Sequence, residues 1–267
     1  MFMTKKWISC FLRESGQEAP SPCPGTLLNA LLVGLFILFI FIFSFSRLEY
    51  DFHWASVWAY RAKFIRGLGM TLVLSFFSLI VSFLLGSLFA LGQKSRFLPF
   101  YFFSRFYVEI IRGTPLLVQI LVFFYVIADA FRVQNRYVTG VVILSLFAGA
   151  YISEIIRAGI DSIGETQLET ARSLGLTRFQ QYRFIIFPQV FKRILPPLAG
   201  QLVSLIKDSS LLSIISVSEF TLNAQEVNAY TYSTLESYLP LAVGYLLITY
   251  PISNLSKRLE RTFSYET

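Results

Sequence analysis

Residues 68–92 read LGMTLVLSFFSLIVSFLLGSLFALG, a run of 25 residues without a charged side chain. An α-helix needs about 20 apolar residues to cross the hydrocarbon core of a bilayer, so this run is long enough. The whole chain has the same character, with 55% hydrophobic, 17% aromatic and only 15% charged residues in 267. A soluble domain carries about 25% charged residues. Because continuous apolar runs favour helices over the alternating strands of a barrel, the sequence predicts an all-α integral membrane protein, a polytopic helix bundle.

Six apolar runs are predicted to cross the membrane. They lie at about 27–46, 68–92, 103–127, 137–157, 194–217 and 237–253. Basic residues follow the second, fourth and sixth runs, which places these loops and both termini in the cytoplasm under the positive-inside rule. The net charge of +7 is attributed to these cytoplasmic loops and not to nucleic-acid binding. Membrane lipid is therefore a predicted partner of the chain. The stretch 47–66 is also basic but falls outside, and its Trp54, Trp58 and Tyr60 favour a segment lying on the membrane surface.

The N-terminal region is predicted to be a cytoplasmic tail over 1–26 and an extra transmembrane helix with an exterior loop over 27–63. The apolar run at 27–46 is longer than the apolar part of a signal peptide, and no small-residue cleavage site follows it. It is therefore predicted to be retained. Cys10 and Cys23 belong to no motif of fixed spacing and are interpreted as incidental.

The polar stretch 160–193 carries signals for a first short helix. Thr166 and Glu169 have the spacing of a capping box, which predicts a helix that starts at Gln167. Gly175 follows at the position where a left-handed C-cap needs a residue without Cβ.

A second short helix follows in the same stretch. Thr177 and Gln180 fit another capping box, and Pro188 is predicted to end the helix. Each of these residues could serve only to cap its own helix. A compact helix–glycine–helix unit between two membrane spans is, however, also suited to dock in the groove of a partner.

The order of residues in this stretch resembles the EAA loop of bacterial ABC importer permeases. The family pattern is EAA, three residues, Gly, nine residues and Ile-x-Leu-Pro, and Glu169-Thr-Ala-Arg-Ser-Leu-Gly175 with Ile185-Ile-Phe-Pro188 keeps that spacing. Thr170 stands where the pattern has Ala, and Phe187 where it has Leu. The resemblance implies a loop at about 164–188 that couples the chain to a separate ATPase through Glu169, Thr170, Ala171, Gly175, Ile185 and Pro188.

Three further runs resemble the polar amino acid (histidine/glutamine-type) branch of these permeases. They are Arg112-Gly-Thr-Pro-Leu-Leu-Val-Gln119, Ala150-Tyr-Ile-Ser-Glu-Ile-Ile-Arg-Ala-Gly159 and Ile206-Lys-Asp-Ser-Ser-Leu211, where the family commonly has Thr in place of Ser209. The resemblance covers about 64–260. It implies a type I ABC importer permease core of five helices, to which the first helix is an addition.

The same resemblance implies the cellular role. The chain would be the permease subunit that forms the pathway of an ABC importer for amino acids, in the cytoplasmic (inner) membrane of a bacterium. Its implied partners are a pair of ABC ATPase subunits, a periplasmic or lipid-anchored substrate-binding protein, and a second permease subunit, identical or related. The chain has no G-x-x-x-x-G-K-[ST] run, so ATP and Mg are predicted to bind to the ATPase and no cofactor to this chain.

Polar groups inside the predicted spans are costly and are functional hypotheses by default. Glu154 and Arg157 are three residues apart and can pair on one helix face, with Arg157 reaching the membrane interface. The span 103–127 must be kinked at Gly113-Thr114-Pro115, which frees carbonyl groups. The residues predicted to contact the path or the substrate are Thr114, Gln119, Glu154, Lys207, Asp208 and Ser209. Adjacent helical residues do not face each other, so Lys207 and Asp208 each need a partner elsewhere in the bundle, or the helix is irregular there. A purely structural network between helices is the alternative to a role in the path or at the subunit seam.

Three other functions remain open. The chain could be an ABC permease for another small solute, or an ion-driven secondary transporter, which predicts internal repeats that the sequence does not display. A membrane enzyme is the third, but the sequence offers no nucleophile–base set, and its single histidine is His53 in the exterior loop.

Overall fold

The computed structural model describes residues 24–47 and 50–264. Residues 1–23 of the predicted tail, which include Cys10 and Cys23, lie outside the described residues. The described part of the chain is helical and contains no β-strand. It forms two compact units, one ending at Phe52 and the other beginning at His53.

The first unit is built around one long helix, α1 (Pro24–Ser46). Its apolar side chains from Leu27 to Phe43 are exposed on every side. Residues Leu27–Ser46 are long and apolar enough to cross a membrane. A helix that is apolar all round is suited to lipid, so the predicted first span at 27–46 is confirmed as an element of this kind.

The second unit contains ten helices in the described chain. They are α2 (Trp54–Trp58), α3 (Arg61–Gly92), α4 (Leu98–Gly113), α5 (Leu116–Val122), α6 (Arg136–Asp161), α7 (Glu165–Ser173), α8 (Arg178–Gln181), α9 (Phe187–Asp208), α10 (Phe220–Thr231) and α11 (Thr234–Ser264). Irregular turns extend three of them: π-helix at Phe123–Ala128 and Tyr182–Ile186, and 3₁₀-helix at Ser209–Ile215. In all, five described helices are long and apolar enough to cross a membrane, or six if α4 and α5 form one broken span.

Helices α3 and α6 form the most closely packed pair of the second unit. A Cβ placed on Gly86 of α3 would lie 2.6 Å from the Ile152 Cγ2 and 3.0 Å from the Gly149 carbonyl oxygen of α6. Association between membrane helices depends on small residues that let the backbones approach. Buried apolar side chains of α3, α6 and α9 complete this core: Leu74, Ala90, Leu144, Ala148, Ile152, Ile194 and Leu205.

Helix α10 is fixed to α3 and α11 by a buried carboxylate. Glu219 caps α10 by accepting the Leu222 N–H at 2.8 Å and the Thr221 N–H at 2.9 Å, and it also accepts the Tyr245 hydroxyl of α11 at 3.1 Å. Burial raises the pKa of the Glu219 carboxyl, while these donors lower it. In the middle of α10, Glu226 forms an ion pair with Lys63 of α3.

Candidate functional site

The first helix of the predicted coupling loop, α7, begins earlier than expected. Its N-cap is Gly164 in an extended conformation, and no side chain caps it. The prediction of a capping box at Thr166 and a helix start at Gln167 is therefore wrong. Thr166 lies inside the helix, where its carbonyl accepts the Thr170 hydroxyl at 2.8 Å. The acidic Glu165 in the first turn favours this earlier start, because its charge complements the helix dipole.

The end of α7 is a Schellman motif, as the sequence predicts. Gly175 has a φ of +75°. Its N–H donates to the Arg172 carbonyl at 2.9 Å, and the next N–H, from Leu176, donates to the Ala171 carbonyl at 3.1 Å. A Cβ on Gly175 would meet no atom within 4 Å. Glycine is therefore required here by the left-handed backbone and not by lack of space.

The second helix of the loop begins as predicted but does not end as predicted. The Gln180 N–H donates to the Thr177 hydroxyl at 3.3 Å, and the Thr177 N–H donates to the Gln180 side chain at 2.8 Å, which is a complete capping box. The prediction that Pro188 ends this helix is wrong. Pro188 lies in the first turn of α9, directly after the π-helical turn, and the helical path continues. Proline is tolerated in a first turn because its missing N–H would have no helical partner there.

The coupling loop has one face on the bundle and one face away from it. Ala171 is buried and Ile185 is half-buried, whereas Glu169, Thr170, Gly175 and Pro188 are exposed. Large apolar side chains accompany the exposed residues: Leu174, Phe179, Phe184 and Phe187. A group of exposed apolar side chains marks an interaction surface. The candidate coupling residues thus surround a surface that is open in this chain.

The predicted kink is a sharp break between α4 and α5, with the two helix directions 111° apart. Thr114 and Pro115 are extended. The buried Gln119 amide donates to the Ile111 carbonyl at 2.7 Å, to the Thr114 carbonyl at 3.0 Å and to the Thr114 hydroxyl at 2.7 Å. Thr114 and Gln119 are therefore brought together, and the freed carbonyls are satisfied within the chain.

Replacing Gln119 with leucine should destabilise the chain by about 1–3 kcal/mol, because two carbonyl groups at the break lose their donor. The thermal midpoint of the purified protein in detergent measures this loss. The control is Gln225→Leu, at an exposed position on α10. Gln93→Leu would not serve as a control, because Gln93 donates a hydrogen bond to Glu154. Equal midpoints for Gln119→Leu and Gln225→Leu would contradict the capping role.

The second group of candidate residues is an ion-pair network around Glu154. Arg157 donates to both oxygens of Glu154, at 3.0 and 2.9 Å, which confirms the predicted pair. Glu154 also accepts Arg112 at 3.1 Å and Gln93 at 3.2 Å. Beside the network lies an open cavity of about 420 Å³, polar in its lining.

The third group, Lys207-Asp208-Ser209, lies where α9 changes into 3₁₀-helix. An irregular helix is one of the two outcomes that the sequence left open here. Lys207 is exposed, Asp208 is half-buried and Ser209 is buried. The Ser209 hydroxyl donates a hydrogen bond to the Ile206 carbonyl at 2.8 Å. The 3₁₀ turns share a core with α5 through Leu116, Ile120, Leu212 and Ile215. This places the third group next to the element that follows the helix break.

Sequence reasoning missed the partners that come from other helices. Arg112 and Gln93 reach Glu154 from α4 and from the end of α3. Glu219 and Glu236, both fully buried, were not singled out at all. The signal for Glu219 was available, because an acidic residue directly before an apolar helical stretch is a common N-cap.

Comparison with known proteins places this helical architecture in a family. Residues 82–265 match the family described as binding-protein-dependent transport system inner membrane component. The chain belongs to this family. Among the relatives of this transport component, the "Probable glutamine ABC transporter permease protein GlnM" of Bacillus subtilis is 35% identical over 206 residues, covering 76% of this chain and 95% of GlnM.

Two further proteins support the placement of this transport component. The glutamine transport system permease protein GlnP of Escherichia coli is 34% identical over 213 residues, covering 79% of this chain and 97% of GlnP. A solved structure, described as "Crystal structure of an amino acid ABC transporter with histidines", superposes with a TM-score of 0.74 at 36% identity and covers 80% of this chain and all of that chain. The all-α membrane bundle of an ABC importer permease is therefore confirmed as the fold. Helix α1 lies outside residues 82–265, which match the family.

Proposed function

We propose that this chain is the membrane-spanning permease subunit of an ATP-driven importer of polar amino acids. The observation that carries the proposal is the coupling loop: a helix, a left-handed glycine and a second helix, buried on one side at Ala171 and exposed on the other. An exposed apolar surface of this kind marks an interaction site, as an importer driven by a separate ATPase requires. The names of the relatives supply the substrate class, since GlnM and GlnP are described as glutamine permeases.

Hydrolysis of ATP is assigned to partner subunits. A pair of ABC ATPases that bind ATP and Mg docks on the exposed apolar side chains around Glu169 and Gly175. A second permease subunit completes the pathway, and a substrate-binding protein delivers the amino acid outside the bacterial cytoplasmic membrane. Binding of ATP and of the loaded binding protein then biases the bundle between its inward and outward states.

The Lys207-Asp208-Ser209 segment is the proposed place of substrate contact. Free amino acids carry a carboxylate and an ammonium group, and an exposed lysine next to a half-buried aspartate offers a charge of opposite sign to each. The neighbouring break at Thr114 lies just before α5, and Gln119 of α5 binds the carbonyls that the break frees. Movement of α5 would change the space next to this segment, because α5 and the 3₁₀ turns share one core.

The test is transport by the chain together with its ATPase and binding protein in proteoliposomes. Radiolabelled glutamine, glutamate, arginine and histidine are offered on the side of the binding protein. ATP is either supplied to the ATPase on the opposite side of the membrane or left out. Accumulation that requires ATP and the binding protein supports the proposal. Accumulation driven by an ion gradient in the permease alone would establish the secondary transporter instead.

Replacing Lys207 or Asp208 with alanine should lower uptake at sub-saturating substrate roughly thirtyfold, or about 2 kcal/mol, because a charge contact to the substrate is lost. Insertion is verified by the amount of protein in purified membranes. Lys257→Ala, an exposed position on α11, is the matched control and should transport normally. Normal uptake in both the Lys207 and the Asp208 variants would remove this segment from the pathway.

A further inference from the structure

The ion-pair network around Glu154 connects the helix break to the base of the coupling loop. Its members alternate in charge along a continuous series. In order, they are Arg112, Glu154, Arg157, Asp161 and Lys94. The Arg157–Asp161 contact measures 3.0 Å, and Lys94 closes the series from the turn between α3 and α4.

The two ends of this series have distinct neighbours. Arg112 is the penultimate residue of α4, and Gly113 alone separates it from the extended Thr114 and Pro115. Asp161 is the last residue of α6, and only three residues separate it from α7 of the coupling loop. The carbonyl of one of these residues, Ser162, accepts a hydrogen bond from the Arg193 guanidinium of α9 at 2.5 Å. A displacement of the loop would therefore be applied directly to Asp161 and Arg157.

Glu154 is the carboxylate that joins the two halves of the series, because it pairs with Arg112 on one side and with Arg157 on the other. Each of its oxygens accepts two donors: Gln93 and Arg157 on one, Arg112 and Arg157 on the other. The cationic side chains are well exposed, with 43% of the Arg112 and 38% of the Arg157 side chain accessible. Exposed ion pairs contribute little to stability. The arrangement is therefore better suited to fixing a position than to holding the fold together.

The helix break is held on one side by the Gln119 amide and on the other by Arg112. A Cβ on Gly113 would meet no atom within 4 Å, so the chain leaves open space beside this residue. Arg112 also lies over the Tyr151 ring of α6 at 5.4 Å. The contacts of Arg112 with Tyr151 and with Glu154 both attach the end of α4 to α6, so a movement of α4 relative to α6 requires the Arg112–Glu154 contact to adjust.

We propose that Glu154 is a positioning residue that transmits the motion of the coupling loop to the break between α4 and α5. The inference rests on the proposed importer function and adds to it the route from the ATPase surface to the pathway. Coupling between distant sites is carried by packed elements and ion-pair networks that have two arrangements. In this proposal, the series from Asp161 to Arg112 is the network, and the angle of the break is what differs between the two states of the importer.

The test compares uptake with ATP hydrolysis in the reconstituted importer. Glu154→Gln keeps the size of the side chain but removes its charge, and it should lower the uptake per ATP hydrolysed by about tenfold while hydrolysis continues. Arg112→Gln should have the same effect. Because both variants break one link, the double variant should be no worse than Glu154→Gln alone.

The matched control is Glu109→Gln on α4, the helix that also carries Arg112. Glu109 pairs with Arg105 at 2.9 Å, one turn before Arg112, and this pair is not a link of the series. Its variant should keep the wild-type ratio of uptake to hydrolysis. Effects of Glu154→Gln and Arg112→Gln that simply add in the double variant, or a parallel loss of both activities with a lower thermal midpoint, would overturn the positioning role.

A direct measurement follows the angle of the break. Spin labels at Phe106 and Val126, both exposed, lie on either side of it, after replacement of Cys10 and Cys23. In the wild-type importer the distance between the labels should change when ATP binds, and in Glu154→Gln it should not. An unchanged response in the variant would refute the inference while leaving the importer function intact; a wild-type chain without ATP-dependent uptake would instead refute the function.

Discussion

Replacing Gly175 with valine is expected to leave the chain inserted and folded but to reduce the uptake per ATP hydrolysed to background. The backbone of Gly175 is left-handed, with a φ of +75°, and a β-branched residue at this position costs about 2 kcal/mol. That cost falls on the Schellman motif that ends α7, so the two helices of the loop lose their fixed relative position. The surface formed by Leu174 and Phe179 would then no longer be presented to the ATPase in one arrangement.

The control for this experiment uses the same position. Asparagine adopts the left-handed conformation more readily than other residues with a Cβ, and nothing lies within 4 Å of where that Cβ would be. Gly175→Asn should therefore retain most of the coupling, although its side chain reaches further from the backbone than that of valine. Full coupling in Gly175→Val, or an equal loss in both variants, would contradict the conformational explanation.

The coupling loop shows which local features can be predicted from the sequence. Gly175 and the Thr177–Gln180 capping box are determined by hydrogen bonds within a few residues, and both were predicted. The start of α7 and the role of Pro188 were not. Thr166 has the spacing of a cap, but α7 starts after Gly164, where the charge of Glu165 in the first turn complements the helix dipole. A proline beside a π-helical turn is compatible with either an end or a continuation of the helix.

The helix break and the ion-pair network show where prediction from sequence stops. Proline after threonine locates the break, and a spacing of three residues predicts the Glu154–Arg157 pair. The angle of 111° and the contact from Arg112 depend on how α4 lies against α6. Residues 112 and 154 are 42 positions apart, so no local pattern joins them. Hydropathy likewise predicted the apolar runs, but not that α3 begins at Arg61, inside the segment expected to lie on the membrane surface.

Replacing Gly86 with leucine should have the largest effect on stability, a loss of about 3 kcal/mol or more, at the upper end of the cost of overpacking. The added Cβ alone would lie 2.6 Å from Ile152 Cγ2 and 3.0 Å from the Gly149 carbonyl oxygen. The side chain of Ile152 is fully buried and has no free space to enter, and the carbonyl oxygen belongs to the backbone of α6. Helices α3 and α6 would have to separate, which disturbs the core shared with α9.

Gly69 on the same helix provides the comparison. It is exposed, and a Cβ there would meet no atom within 4 Å. Gly69→Leu should be neutral or slightly stabilising, because leucine is the better helix former by roughly 1 kcal/mol. The thermal midpoints of the two variants in detergent, and the yield of monodisperse protein, measure the difference. Because both substitutions add the same apolar volume to the same helix, a difference between them reports only the close approach of α3 to α6; similar midpoints would mean that this approach does not hold the bundle together.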